Sequence, residues 1–395
     1  QTDQTLRIGG GQTVWRNTDR VFRDTSAWLH VVIAFDTTQS TANDRIKIYI
    51  NGVQETSFST TNNPSQNGNL GINFGKQAIG YNTIDSNSGF NGYMCEVVIQ
   101  DGVASLPTEF GEFDSDTGIW IPKDASGATM GTNGTYLKFE NAASMGAASA
   151  GNSFTVQNIN QNDQATDTCT NSFAIINTLQ SNASKLTIAQ GATSIVKSGN
   201  HGWQTTNANI AVSLGKWYAE FKLDTSASLI MLGVNQADNE VAWSGSHIGA
   251  YSNSTAQGMG YYSSNGNFYR NGGSGAIGST YTAGDIIGIA FCYNSDGTAF
   301  MGMSKNGTWQ NSQDPSSGTT NMLALNYGNA FTNNEMFTFA ISTHESTGGV
   351  LANFGGFNGF TVSSGNSDAN GYGNFEYAVP TGYFSLCTKN LAENG

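Results

Sequence analysis

Charge is scarce in this sequence. Asp, Glu, Lys and Arg make up 11% of its 395 residues, against roughly 25% in an ordinary soluble protein. The folded surface must therefore be built from Asn, Ser, Thr, Gln and Gly. Positive charge is scarcer still: 16 Lys and Arg face 29 Asp and Glu, a net charge of −13. No Lys/Arg cluster relieves that excess, so phosphate backbones and anionic lipid would repel the chain, and nucleic acid is excluded as a partner. No apolar run reaches the roughly 18 residues of a spanning helix, which excludes membrane insertion by helices. No basic stretch leads into an apolar one at the start, so no signal peptide is read. The four cysteines, Cys95, Cys169, Cys292 and Cys387, form no CxxC pair, which removes a zinc site. They allow three disulfide pairings, and the sequence chooses none of them. Apolar residues at helical spacing are missing throughout. The chain opens at Gln1 rather than Met and stops at LAENG, residues 391–395. That suggests a processed or partial product of a longer polypeptide, with an expression boundary as the equal alternative.

What the sequence does have is alternation punctuated by glycine. Gly is abundant at 49 and Pro rare at 5, a balance that suits short strands joined by tight turns. GKWYAEFKLD (215–224) places Trp217, Ala219, Phe221 and Leu223 on one face and Tyr218, Glu220, Lys222 and Asp224 on the other. SAWLHVVIAFD (26–36) is a second device of this kind, a tryptophan leading into a β-rich run. In RIKIYINGVQETSF (45–58) alternating isoleucines run into Asn51-Gly52, the strongest short hairpin signal. Asp296-Gly297 and Asn306-Gly307 repeat that signal within 285–310. Further strands are expected in 90–102, 136–139, 154–159, 229–235, 247–253, 258–272, 336–342 and 348–355. Length favours two domains over one. The expected fold is all-β: two antiparallel β-sandwich domains over 1–122 and 186–395, joined by a strand-containing connector over 123–185 that packs as an edge of one or both domains.

Two family resemblances follow from these stretches. WLHVVIAFD (28–36), IKIYINGVQ (46–54), IG (79–80) and FNGYMCEVVIQDG (90–102) resemble the closing strands of the concanavalin-like, or laminin-G-like, jelly roll. The segment before Trp28 is too short for that family's opening strands, so either the start is truncated or the connector supplies them. GKWYAEF (215–221), LGV (232–234), GDIIGIAF (284–291) and FMGMSKNGTW (300–309) resemble the SPRY sandwich. The tandem, with GTNGTYLKFEN (131–141) and GYFSLCTKNLAE (382–393), resembles tail or fibre proteins of marine bacteriophages. These resemblances imply a virion-surface or extracellular, homo-oligomeric protein that touches other virion proteins and a cell-surface glycan or protein.

Catalytic patterns are missing. Glu109, Glu112 and Asp114 lack the acid spacing of jelly-roll hydrolases and read as a solvated patch. His30, His201, His247 and His344 are dispersed and form no HExxH; His30 reads as a satisfied sheet histidine. Neither IGGGQT (8–13) nor GKQAIG (75–80) opens a helix that would cradle phosphate. The chain is thus expected to be non-enzymatic and without a cofactor. Calcium is the one metal left open, with Asp36, Asp44, Asp85 and Asn91 at loop ends, although such residues more often form turns. Binding through aromatics has the better case, because sugars stack on exposed rings while amides bond their hydroxyls. Residues 242–272 are dense in both, and Trp243, Tyr251, Tyr261, Tyr262, Tyr269 and Arg270 are the candidate ligand-binding residues. Strand alternation is expected to bury about half of such rings.

Overall fold

In a computed structural model the chain divides into two compact units, one of residues 1–161 and 168–170, the other of 162–167 and 171–395. The structure describes residues 4–395 except 11–12, 25–26, 73–74, 83–88, 91, 116–117, 142, 160–162, 182–183, 200–201, 225–228, 239–245, 251–257, 326–330, 332–334, 345–348 and 357–358. Within these residues every sheet pairing but one is antiparallel, the exception being Phe384–Ser385 beside Gly215–Leu223.

The first unit packs a three-stranded sheet (Thr5–Gly10, Thr13–Val21, Phe58–Thr61) against another (Val31–Phe35, Ile46–Ile50, Val53–Glu55). Ile8, Ile48 and Ile50 are buried between them, with Leu6, Trp15, Phe22, Phe35 and Phe58 packed around. Residues before Trp28 thus do supply two strands, paired in a hairpin. The Asn51-Gly52 turn forms as expected, with φ of 49° and 79°. Only glycine fits there for a second reason. A Cβ on Gly52 would lie 2.3 Å from the Trp120 ring, and one on Gly111 2.6 Å from it. Trp120 stacks on His30 at 5.7 Å and donates its indole N–H to His30 Nδ1 at 3.0 Å. That bond leaves His30 a neutral, satisfied acceptor, and burial holds its pKa below the ordinary value.

Two expected strands differ. Of 90–102 only Val97–Ile99 is extended, because Glu96 turns to φ 53° just before it. Val97–Ile99 pairs with Thr135–Leu137, which pairs in turn with Ala150–Gly151. No strand forms over 154–159, where Asn158 sits at φ 57°. The residues read as a connector do not stand apart: 123–161 cluster with the first unit and 171–185 with the second.

The second unit is a two-sheet sandwich. Its larger sheet has the main order Leu186–Ala189, Ser194–Lys197, Gly349–Asn353, Gly215–Leu223, Ile286–Tyr293, Ala299–Lys305, Thr308–Trp309; the other runs Gln204–Asn207, Phe337–Thr343, Ile230–Gln236, Gly258–Tyr262, Asn267–Arg270, Gly273–Ala276. Trp217, Ala219, Phe221 and Leu223 all enter the core between these sheets, as their alternation requires. Two of their alternate neighbours, Tyr218 and Glu220, are not in water either. Tyr218 packs with Ala290, Cys292, Met322, Phe375 and Tyr383 in a second cluster on the opposite face. Beside it Glu220 is fully buried and accepts hydrogen bonds from Tyr218 Oη at 3.0 Å and from the Glu376 and Tyr377 N–H groups, each at 2.8 Å. Burial nevertheless pushes its pKa up, to about 7.

Among the described residues one α-helix occurs, Thr388–Asn394, where no helix was expected. Seven residues are too few to show a helical period. The helix is held through Asn390, whose amide donates to Asp368 Oδ2 at 2.8 Å and to the Ser385 carbonyl at 2.9 Å.

Candidate functional site

Alternation fixes which rings of the second unit reach its outer face. On Gly258–Tyr262, Met259 and Tyr261 point into the core, so Gly260 and Tyr262 point outward. On the next strand Tyr269 pairs with Gly260 and shares that outer face. Gly258 and Gly260 leave a trough there, and residues 246–250 cross it as a strap. Its centre, Ile248, is fully buried. A Cβ on Gly260 would meet Ile248 Cβ at 3.4 Å and Met231 Cβ at 3.2 Å. The strap is also hydrogen-bonded down. Ile248 N–H donates to Ser342 Oγ at 3.1 Å, Thr205 Oγ1 to the Ser246 carbonyl at 2.9 Å, and Gly272 N–H to the Gly249 carbonyl at 2.9 Å. No strand forms over the described part of the expected 247–253, namely 247–250. Gly249 turns to φ 75° so close to the Tyr269 carbonyl that a Cβ would stand 2.2 Å away.

Around the strap lie five half-buried rings. Trp203 meets His247 at 4.9 Å, His344 at 5.2 Å and Tyr262 at 5.9 Å, all edge to face. Tyr269 meets His247 and Tyr262 at 5.5 Å each, again edge to face. Such contacts match the positive edge of one ring to the negative face of the next. His247 Nδ1 lies 2.9 Å from the Ile248 carbonyl. A carbonyl only accepts, so Nδ1 carries the proton of the neutral ring. Burial lowers the His247 pKa, with the carbonyl bond acting weakly the other way, so the ring is uncharged near neutrality. The resulting surface offers ring faces and edges, with amide groups nearby: Asn265 donates to Tyr269 Oη at 3.4 Å. It suits an uncharged polyhydroxyl ligand better than an anion.

Of the six candidate residues the structure brings Tyr262 and Tyr269 together. Tyr261 is a correction: it is fully buried and tilted against Tyr281 at 4.9 Å, because the strand's period of two turns it inward. Arg270 is another: it follows Tyr269 and so takes the opposite face, where its guanidinium lies over Phe268 and donates to the Ala324 carbonyl. Trp243 and Tyr251 lie outside the described residues. Trp203, His247 and His344 escaped sequence reasoning. They are far apart in the chain, and what brings Trp203 beside His344 is the pairing of Gln204 with Thr343.

The two described metal candidates each have a local partner. Asp36 Oδ1 accepts from the Thr38 N–H and hydroxyl at 3.1 and 2.6 Å, a turn-closing role. Asp44 pairs with Lys47 at 3.2 Å. Asp85 and Asn91 lie outside the described residues. Among the described residues no three His, Cys, Asp or Glu side chains gather in a way that could hold a metal. Glu112 is exposed and faces Lys123 at 3.8 Å.

Comparison with known proteins adds the following. Residues 2–107 match the model of the concanavalin A-like lectin/glucanases superfamily. No curated protein matches the chain. Among solved structures it is similar to a human SPRY domain, with 16% identity and a TM-score of 0.31 over 42% of this chain and 94% of that one. It is similar too to the SPRY domain of human HERC1, with 15% identity and a TM-score of 0.33 over 45% and 96%. A third is the PSpry domain of TRIM65, with 11% identity and a TM-score of 0.32 over 46% and 91%.

Proposed function

We propose that the chain is a non-enzymatic attachment protein of a virion surface, a tail or fibre component, whose second unit binds an uncharged cell-surface glycan. The observation that carries this reading is the ring face of Trp203, His247, Tyr262, Tyr269 and His344 around the 246–250 strap. Half-buried rings held in fixed mutual orientation lose little entropy on stacking a sugar, and the neutral His247 imidazole adds an acceptor for a hydroxyl. The uncharged surface composition fits a protein displayed in bulk. Single weak sites gain avidity through copy number, which is why a homo-oligomer belongs to the proposal.

The test pairs a glycan array with a reducing-sugar assay on the full chain. The expected result is binding to neutral glycans without release of sugar, weakened about two- to tenfold by Trp203→Ala or Tyr269→Ala, since an aromatic contact contributes about 0.5–1.5 kcal/mol. Released sugar would make the protein a polysaccharide-degrading tail enzyme. Binding to immobilised cell-surface protein alone would retain attachment and discard the glycan. No binding, with firm docking on assembled particles, would leave an architectural capsid-decorating role.

A further inference from the structure

The four cysteines divide into two kinds. Cys292 and Cys387 are buried in the second unit, whereas Cys95 and Cys169 are half-buried and belong to the first. Cys292 Sγ donates to Asn294 Oδ1 at 3.2 Å, and Cys387 Sγ accepts from Ser385 Oγ at 3.8 Å. Cys95 and Cys169 instead hydrogen-bond one another, thiol to thiol.

Chain continuity does not explain that meeting. Thr168–Thr170 clusters with the first unit, while 162–167 before it and 171–395 after it cluster with the second. The tripeptide that carries Cys169 is therefore held to the first unit by its own contacts. Cys95 stands on a fixed base: the next residue, Glu96, takes a positive φ and accepts the hydroxyl of Tyr136 from the strand Thr135–Leu137. Glu96 is also the carboxylate that acts on both thiols, disfavouring their ionisation. Against that, the hydrogen bond from Cys95 holds the Cys169 thiol below its ordinary value, whereas the same contact and burial raise Cys95. Cys169 is thus the better nucleophile of the two.

We propose that Cys95 and Cys169 are a disulfide-forming pair, closed by exchange with a low-molecular-weight disulfide such as oxidised glutathione. The Cys169 thiolate attacks one sulfur of that disulfide and expels the other as a thiolate. The Cys95 sulfur then attacks Cys169 Sγ in the mixed disulfide and expels the second thiolate. Two protein thiols are oxidised, one external disulfide is reduced to two thiols, and the two protons go to the departing thiolates. Such a bond persists outside the reducing cytosol. It would close the loop from 95 to 169, enclosing all three strands of the sheet Ala150–Gly151, Thr135–Leu137, Val97–Ile99 within a covalent ring.

The test uses the full chain equilibrated with excess oxidised glutathione, then denatured for thiol counting and digested without reduction. The expected result is two remaining thiols and one cross-linked peptide pair joining Cys95 to Cys169. Cys95→Ser should stop at a Cys169–glutathione mixed disulfide with two free thiols and no cross-link, Cys169→Ser should retain three thiols, and the double variant Cys292→Ser/Cys387→Ser should form the cross-link unchanged. Four thiols surviving in the native protein, or a cross-link that joins either cysteine to Cys292 or Cys387, would overturn the pairing. The wild-type peptide map decides even if a variant fails to fold.

Discussion

The two units solve the same problem, burying one face of a sheet, with unequal completeness. The second stacks a six-stranded sheet on a larger one and then covers the larger sheet's far side as well. The first stacks three strands on three and gathers small separate clusters. Of the sixteen large apolar side chains left exposed among the described residues, thirteen lie in the first unit and three in the second. Period-two alternation is present in both. What differs is how much of the outer surface a later segment returns to cover. Residues 366–386 do that for the second unit, anchored by Glu220 and Asp368. The expected consequence is that the first unit opens more readily.

Breaking the larger core tests this most severely. Trp217→Ala removes a fully buried side chain and the bond from its indole N–H to the Leu214 carbonyl at 2.8 Å. It should cost about 3–5 kcal/mol. In calorimetry with hydrogen exchange, amides of 286–293 should lose protection while those of 46–50 keep theirs. Equal loss in both would end the comparison. The buried carboxyl gives a second lever. An ordinary glutamate titrates near 4.5, whereas Glu220 is pushed up to about 7. Folding therefore takes up a proton between those values, so the second unit should lose about 2–3 kcal/mol as pH rises from about 4.5 to 7. Glu220→Gln should flatten that slope whatever its effect on absolute stability, as denaturant midpoints across the range would show. A slope that survives the substitution would assign it elsewhere.

A third comparison separates two glycines of the first unit. Gly52 and Gly102 share a φ of 79°, yet a Cβ meets Trp120 at the first and nothing within 4 Å at the second. Gly102→Ala should cost about 1 kcal/mol, the strain of a left-handed residue. Gly52→Ala should cost about 2–3 kcal/mol more through displacement of the indole. Chemical denaturation of the two variants checks it. Equal losses would mean that Trp120 does not depend on the hairpin.

Legibility followed the range of the interactions. The Asn51-Gly52 and Asn306-Gly307 turns were readable because glycine and asparagine carry their own backbone preferences. The inward row of Trp217, Phe221 and Leu223 was readable because alternation is local. The burial of Tyr218 and Glu220 was not, since it depends on residues more than a hundred positions later. Within the candidate site, Tyr262 and Tyr269 announced themselves by local aromatic density. The same density misassigned Tyr261 and Arg270, because counting rings ignores which way a strand turns them. Trp203 and His344 lie outside that dense segment and had no local signal at all.

The strap over Gly258 and Gly260 has a practical meaning for change over time. Its middle is pinned to the sheet by Ile248, whose N–H is tied to Ser342 Oγ, while His247 beside it stays half-buried. A substitution at His247 can therefore alter the ring face while Ile248 keeps the strap seated on the sheet. A sandwich built this way separates the residues that shape its outer face from those that keep it folded.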